Sequence, residues 1–321
     1  MSLKIVFMGT PDFAVGALQA LIEAGHEIVA VVTQPDKAKG RSGKLSFSPV
    51  KECALENGLP VFQPERIKRP EAVAELKKYE ADIFVVAAFG QILSKEILDM
   101  PRLGCINIHA SLLPKYRGSS PIQWSVINGE EKTGVTIQQM NEGVDTGDIL
   151  YQKEIVLDKK ETGESLFDRL AVLGAEAVVE VLPLIEEGKV TPVPQNHEEA
   201  THTVMLDKAM GHMDFTKNAI ELERLVRGLN SWPSAYTYFD GKQLKIWESD
   251  LCEEEELSDE EQVYVKNAKP GEVVKVEKNR FAVACGNGAL WITSLQLEGK
   301  KRMSTHDFLL GNAMEKGMVL G

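Results

Sequence analysis

A carboxamide and an imidazole stand two residues apart in the segment Cys105-Ile-Asn-Ile-His109. Apart from these two groups the segment is short and apolar, which predicts a β-strand. Side chains two residues apart in a strand share a face, so Asn107 and His109 should project side by side. The isoleucines between them should face the opposite packing layer. Either polar group alone would be read as a buried side chain satisfied by backbone, but the pair at a strand exit favours a site.

A carboxylate that could join this pair lies further along the chain. Asp145 stands between Gly143 and Gly147, and glycines permit a tight backbone path around it. It is either a turn residue that caps its own loop or a carboxylate brought to the histidine. The sequence leaves both readings open.

The three groups suit the transfer of a one-carbon acyl group to an amine. When an amine attacks a formyl carbon, negative charge grows on the formyl oxygen, and the Asn107 amide and a protonated His109 could donate hydrogen bonds to it. The departing nitrogen needs a proton, and histidine titrates in the useful range. Asp145 would orient the imidazole and favour its charged form. This chemistry needs no metal, and we expect none.

The elements that would carry these groups alternate between strands and helices. A strand over residues 3–8, a helix over 13–24 and a strand over 27–32 make a β-α-β opening. The strands are continuously apolar, as in a parallel sheet covered on both faces. With further strands at 82–87 and 105–109, this pattern predicts a Rossmann-like, doubly wound α/β fold with a mostly parallel sheet. Pro11 occupies the place of the second glycine of a dinucleotide motif, which disfavours NAD.

The chain of 321 residues is long enough for two domains. We predict a catalytic domain over residues 1–189, a linker rich in proline and polar residues over 190–207, and a second domain over 208–321. Short strands punctuated by Gly, Asp and Asn predict a smaller OB-like β-barrel for the second domain. The acidic stretch 253–261 is expected to be a solvated loop.

The bulk properties predict a cytoplasmic protein. The first residues lead directly into a strand, and no apolar run is long enough to cross a membrane. The four cysteines form no CxxC pair, as is typical of reduced thiols. The net charge of −12 argues against nucleic acid as a partner when taken alone, although it leaves room for a local basic face.

An Asn-x-His pair, a following Ser-Leu-Leu-Pro and a distant Asp resemble the folate-dependent formyltransferase superfamily. The matching residues are Asn107, His109, the segment Ser111 to Pro114, and Asp145. The resemblance implies that the carbon donor is 10-formyltetrahydrofolate. It also implies that four residues line the folate site: Ser111, Leu112, Leu113 and Pro114.

The chain is most similar to the members of that superfamily that formylate initiator methionyl-tRNA. The similarity extends through residues 33–51, 118–123 and 142–148, and through 227–233 and 299–303 in the second domain. It implies formylation of the free amino group of methionyl-initiator tRNA for translation initiation. Cationic residues suited to phosphates would bind the tRNA: Lys37, Lys39, Arg41, Lys44, Lys300, Lys301 and Arg302. The loop reads Gly40-Arg-Ser-Gly-Lys44, where the family often has Gly-Arg-Gly-Lys-Lys. We expect a monomer.

Two other classes of function stay open at this stage. One is another folate-dependent formyltransferase or a formyltetrahydrofolate hydrolase, which would share the Asn-x-His pair and the distant Asp. The other is a non-catalytic RNA-binding protein, which would explain a Rossmann-like module joined to an OB-like one. That second class leaves Asn107, His109 and Asp145 without a purpose.

Overall fold

A computed structural model describes residues 2–39 and 44–321. The strands of this part of the chain are β1 (Lys4–Gly9), β2 (Glu27–Val32), β3 (Lys37–Lys39), β4 (Lys44–Ser46), β5 (Val61–Phe62), β6 (Ile83–Ala87), β7 (Cys105–His109), β8 (Arg117–Gly118), β9 (Lys132–Gln139), β10 (Ile149–Val156), β11 (His202–Thr203), β12 (Ala235–Phe239), β13 (Lys242–Cys252), β14 (Val273–Val276), β15 (Phe281–Ala284), β16 (Ala289–Leu297) and β17 (Met303–Ser304). The α-helices are α1 (Asp12–Glu23), α2 (Pro49–Glu56), α3 (Pro70–Lys77), α4 (Lys95–Leu98), α5 (Pro121–Ile127), α6 (Gly163–Glu186), α7 (Ala219–Gly228), α8 (Asp259–Asn267) and α9 (Thr305–Gly311).

The first compact unit is built on a seven-stranded sheet with the order β10-β9-β7-β6-β1-β2-β5. The pairs β1–β2, β1–β6, β6–β7 and β2–β5 are parallel, whereas β9 and β10 are antiparallel to their neighbours. The central strands are buried along almost their whole length, because helices cover both faces of such a sheet. The prediction of an α/β fold with a mostly parallel sheet is confirmed.

Packing behind β7 fixes which way its side chains point. Ile106 and Ile108 are buried on the face opposite Asn107 and His109. Gly174 of α6 lies against Ile108, where an added Cβ would approach a methyl carbon to 2.9 Å. Since residues two apart share a face, burying the isoleucines turns the polar pair toward the other side of the sheet.

The second unit contains a smaller antiparallel sheet. Its strands follow the order β12-β13-β16-β15-β14, and β17 pairs with β16. Its core includes Trp291, Phe281 and Phe308, each at most 1% exposed. A separate, smaller antiparallel β domain therefore accompanies the α/β unit, as the spacing of short strands predicts.

The two compact units of the structure differ in detail from the predicted domains, which have boundaries at residues 189 and 208. The first unit comprises residues 1–121, 132–156 and 167–203, and the second comprises 122–131, 157–166 and 204–321. Hydrogen bonds explain why 157–166 belongs to the second unit: Arg227 Nη1 donates to the Glu161 carbonyl at 2.7 Å, and Glu164 N donates to the Asn230 carbonyl at 3.0 Å. Most of the predicted linker packs on the first unit, where Val193 pairs with Ile149 and β11 pairs with β8.

The prediction of a loop over 253–261 is wrong. Residues Glu254–Glu256 form a 3-10 helix, and α8 begins at Asp259. Ser258 Oγ accepts from Glu261 N at 3.3 Å, and Glu261 accepts from Ser258 N at 2.9 Å, so a capping box starts the helix. The acidic residues also lie in the first turn, where the helix dipole favours negative charge.

None of the described helices has both the length and the apolarity that crossing a membrane would require.

Candidate active site

The polar pair of β7 lies beside β9. Asn107 is in register with Gln138 and His109 with Thr136. The His109 side chain is only 6% exposed, and Asn107 is half-buried. The imidazole is therefore held inside the protein, next to an amide that solvent can partly reach.

Asp145 meets both members of this pair. Asn107 Nδ2 donates to Asp145 Oδ1 at 3.4 Å, and His109 Nδ1 lies 3.6 Å from the same oxygen. The second distance is too long for a hydrogen bond but short for a charge pair. The structure thus brings together the three groups that the sequence singles out.

The backbone of Tyr116 fixes the orientation of the histidine ring. The distance from His109 Nε2 to the Tyr116 carbonyl oxygen is 2.9 Å. A carbonyl can only accept, so Nε2 carries a proton and donates it. The other ring nitrogen, Nδ1, is the one that faces Asp145. Tyr116 presents its carbonyl from a left-handed conformation with φ of +60°, which is uncommon for a large side chain.

The Asp145 carboxylate is surrounded by donors. Its Oδ2 accepts from Gly118 N at 2.9 Å, and its Oδ1 accepts from Gln138 Nε2 at 2.8 Å. Asp145 is itself left-handed, with φ of +52°. The loop turns tightly enough that a Cβ on Gly147 would lie 1.6 Å from the Gln139 carbonyl oxygen, so only glycine fits there. These bonds hold a negative charge beside the imidazole.

The segment Ser111 to Pro114 follows β7 directly. Ser111 and Leu113 are buried, and Ser111 Oγ donates to the Lys115 carbonyl at 2.7 Å. Leu112 and Pro114 are partly exposed. A ligand on this segment would therefore contact the side chains of Leu112 and Pro114 rather than those of Ser111 and Leu113.

Cys105 shares the strand with the polar pair but is a poor nucleophile. Burial raises the pKa of its thiol to about 12. Because the thiolate is the reactive form, Cys105 stays inert near neutral pH.

The cationic residues predicted to bind tRNA have different environments. Arg41 lies outside the described residues, as do the side chains of Lys39 and Lys44. Lys37, Lys300 and Lys301 are exposed. Arg302 is already engaged: it forms an ion pair with Glu248, donates to Ser294 Oγ at 3.2 Å and lies over the Trp247 ring.

The segment that follows β2 is anchored by an ion pair. Lys51 Nζ lies 2.6 Å from Asp36 Oδ2, and Gln63 Nε2 donates to Asp36 Oδ1 at 2.8 Å. The hydrogen bonds from Gln63 and Lys51 hold the pKa of Asp36 below its ordinary value. Lys51 also lies over the Phe47 ring. Lys51 therefore holds Asp36 close to the start of α2.

Sequence reasoning missed several groups at this site. Gln138 could have been found, because it shares a strand face with Thr136, whereas the apolar Val135 and Ile137 occupy the other face. The Tyr116 carbonyl carries no side-chain signal. Arg117 and Gln195 are both buried and joined by hydrogen bonds of 2.8 and 3.0 Å. Gln195 lies in a polar, proline-rich stretch that gives no hint of burial.

Within residues 2–39 and 44–321, no cluster of three or more His, Cys, Asp or Glu side chains has an arrangement that could hold a metal ion.

Comparison with known families identifies the class of the protein. Residues 3–182 match the model of the formyl transferase family, and residues 205–313 match that of the formyl transferase C-terminal domain. The chain belongs to the formyl transferase family. Membership extends over both units of this formyl transferase and includes the loop that carries Asp145.

Full-length relatives agree with this membership. A methionyl-tRNA formyltransferase of Lachnospira eligens is 57% identical over 99% of this chain and 100% of its own length. Another from Agathobacter rectalis is 53% identical over 98% of each chain.

Solved structures share the fold at lower identity. An N-formyltransferase from Helicobacter canadensis, in complex with folinic acid and dTDP-3-aminofucose, superposes with a TM-score of 0.65 at 19% identity, over 94% of this chain and 100% of that one. HypX from Aquifex aeolicus in complex with tetrahydrofolic acid gives a TM-score of 0.63 at 19% identity, over 97% of this chain and 47% of that one.

Proposed function

We propose that this formyl transferase moves the formyl group of 10-formyltetrahydrofolate to the free amino group of methionyl-initiator tRNA. The products are formylmethionyl-tRNA and tetrahydrofolate, and the reaction serves translation initiation. The observation that carries the proposal is the meeting of Asn107, His109 and Asp145 at the end of β7, in a chain whose full-length relatives are named methionyl-tRNA formyltransferases. We further propose that the protein works as a monomer in the cytoplasm, where methionyl-tRNA is made.

In the proposed reaction the amine forms a bond to the formyl carbon and the formyl oxygen gains negative charge. Asn107 Nδ2 and a proton on His109 Nδ1 donate to that oxygen, which lowers the barrier by stabilising the charge as it develops. When the tetrahedral centre collapses, the bond to the folate nitrogen breaks. That nitrogen gains one proton and the attacking amine loses one. His109 Nδ1 can move the proton, since Nε2 is committed to the Tyr116 carbonyl.

Asp145 supports this step through charge and position. Its Oδ1 lies near both Asn107 Nδ2 and His109 Nδ1, so a proton on Nδ1 faces a carboxylate. Gly118 N and Gln138 Nε2 hold the carboxylate in place. Among the four residues proposed to line the folate site, Leu112 and Pro114 offer partly exposed apolar surface, while Ser111 and Leu113 support it from inside. The second domain would bind the body of the tRNA.

The choice of acceptor tests this function. Purified protein with 10-formyltetrahydrofolate should convert methionyl-initiator tRNA to formylmethionyl-tRNA. The rate of this conversion should far exceed the rate of formate release without the tRNA. An amino sugar nucleotide, offered at the same concentration, should not be formylated. Rapid hydrolysis without an acceptor, or preference for the sugar nucleotide, would contradict the proposal.

Arg41 should contribute to tRNA binding but not to donor binding. Replacing Arg41 with alanine removes one phosphate contact, which should weaken methionyl-tRNA binding about tenfold and reduce the salt slope of the binding constant by about one unit. Donor affinity should stay within twofold. Filter binding at several salt concentrations measures the first effect. Arg66→Ala, at an exposed arginine of the first unit, is the matched control. An equal loss of donor affinity would count against the assignment.

A further inference from the structure

Two left-handed residues present the groups around the imidazole. Tyr116 has φ of +60° and gives its carbonyl to His109, while Asp145 has φ of +52° and gives its carboxylate to the site. Such backbone conformations cost free energy in non-glycine residues and persist only where surrounding contacts hold them. The contacts that hold these two backbone conformations therefore affect the groups around the imidazole.

Gln195 holds the Asp145 loop from behind. Its Nε2 donates to the Asp145 carbonyl at 3.0 Å and to the Gly147 carbonyl at 2.6 Å. Its Oε1 accepts from Arg117 at 3.0 and 2.8 Å. Carbonyls only accept and a guanidinium only donates, so the amide has one possible orientation and all of its hydrogen-bonding capacity is used. The side chain is 6% exposed, so water cannot readily replace these bonds.

Thr201 and Thr203 hold the Tyr116 turn from the same segment. Tyr116 N donates to Thr201 Oγ1 at 2.8 Å, and Arg117 N donates to the Thr201 carbonyl at 2.9 Å. Thr203 Oγ1 donates to the Arg117 carbonyl at 3.1 Å. The β11–β8 pair places Thr203 opposite Gly118, whose N–H binds Asp145. Gly118 has φ of +100°, and a Cβ there would lie 2.7 Å from the Thr203 carbonyl oxygen.

We infer that residues 193–203, termed the support segment, position the catalytic groups of the proposed formyl transfer, with Gln195 and Thr201 as its positioning residues. Gln195 sets the Asp145 carboxylate through its backbone, and Thr201 sets the Tyr116 carbonyl that orients His109. The support segment contains no part of the Asn-x-His or Ser-Leu-Leu-Pro motif. The chemistry of formyl transfer alone does not name Gln195 or Thr201, so their role goes beyond the proposed function.

Hydroxyl and amide deletions test the positioning role. Thr201→Val removes the acceptor for Tyr116 N without changing the shape of the side chain. Gln195→Met removes the donor to the Asp145 and Gly147 carbonyls with a side chain of similar length. Small displacements of catalytic groups can cost up to ~10²-fold in rate. We expect kcat to fall about tenfold to a hundredfold, with KM for methionyl-tRNA and donor affinity within twofold. Thr201→Ser keeps the hydroxyl and should restore kcat. Thr191→Val, an exposed threonine nearby, is the control.

A second measurement does not depend on turnover. In a histidine-labelled sample, the Nε2–H proton of His109 should exchange slowly because it is bonded to Tyr116, and Thr201→Val should speed that exchange while Thr191→Val does not. Unchanged kcat in Thr201→Val and Gln195→Met, or unchanged exchange in Thr201→Val, would overturn the positioning role. The wild-type protein could show slow exchange, and Thr201→Val faster exchange, while the wild-type protein fails to formylate methionyl-tRNA. In that case the positioning role stands and the proposed acceptor is wrong.

Discussion

Alanine in place of His109 should lower kcat for formyl transfer by about 10²–10⁴-fold, the range that general acid–base groups contribute. The substitution removes the Nδ1 edge that faces Asp145, and with it the group proposed to move the proton. Single-turnover quench kinetics with methionyl-tRNA should show the loss in the chemical step. The KM for methionyl-tRNA should change little, because the ring is proposed to act on the formyl group during the chemical step and not to bind the tRNA.

His306 provides a matched control for this result. It lies in α9 of the second unit, and its Nδ1 lies 2.9 Å from the Lys278 carbonyl oxygen. His306→Ala should retain kcat within about twofold, as surface substitutions usually do. If His109→Ala kept comparable activity, the imidazole would have no part in the chemistry.

Asp145→Asn should be the second large loss, also of about 10²–10⁴-fold in kcat. Asparagine has the shape of aspartate but cannot accept the same hydrogen bonds. Oδ1 accepts from Gln138 Nε2 and Asn107 Nδ2, and Oδ2 accepts from Gly118 N. An amide nitrogen at either position would face a donor, so asparagine loses the negative charge and also disturbs the loop.

The control for Asp145→Asn removes a charge from the same loop. Glu142 is exposed, and Glu142→Gln should leave kcat within about twofold of wild type. Steady-state kinetics normalised to the amount of folded protein would separate a catalytic role from a structural one, because a purely structural Asp145 would lower the amount of folded protein without changing kcat per folded molecule. An active Asp145→Asn enzyme would remove the carboxylate from the mechanism.

The sequence predicts the strand of the site well because its signal is local. Alternation within β7 depends on a period of two and on the burial of Ile106 and Ile108. A continuous apolar run, also a local signal, gives the bounds of β2, which match the predicted range of 27–32. Packing against α6 then determines which face the polar pair occupies.

The rest of the site depends on contacts between distant residues. The Tyr116 carbonyl and the Gly118 N–H are backbone groups, and left-handed dihedral angles set their direction. The types of these residues do not predict those dihedral angles. Gln195 reaches Asp145 from a stretch that composition alone assigns to a linker. The wrong prediction at 253–261 has a different cause. The acidic composition indicates a loop, whereas Ser258 and Glu261 have the spacing of a capping box that starts a helix.

A double-mutant cycle on His109 and Asp145 tests most directly whether the converging groups act as one catalytic unit. Single-turnover rates of His109→Ala, Asp145→Asn and the double variant give the coupling between the two side chains. We predict strong coupling, with the double variant about as slow as His109→Ala alone, since residues that act together show non-additive losses. Losses that multiply independently would show that the carboxylate and the imidazole act apart and would contradict the mechanism.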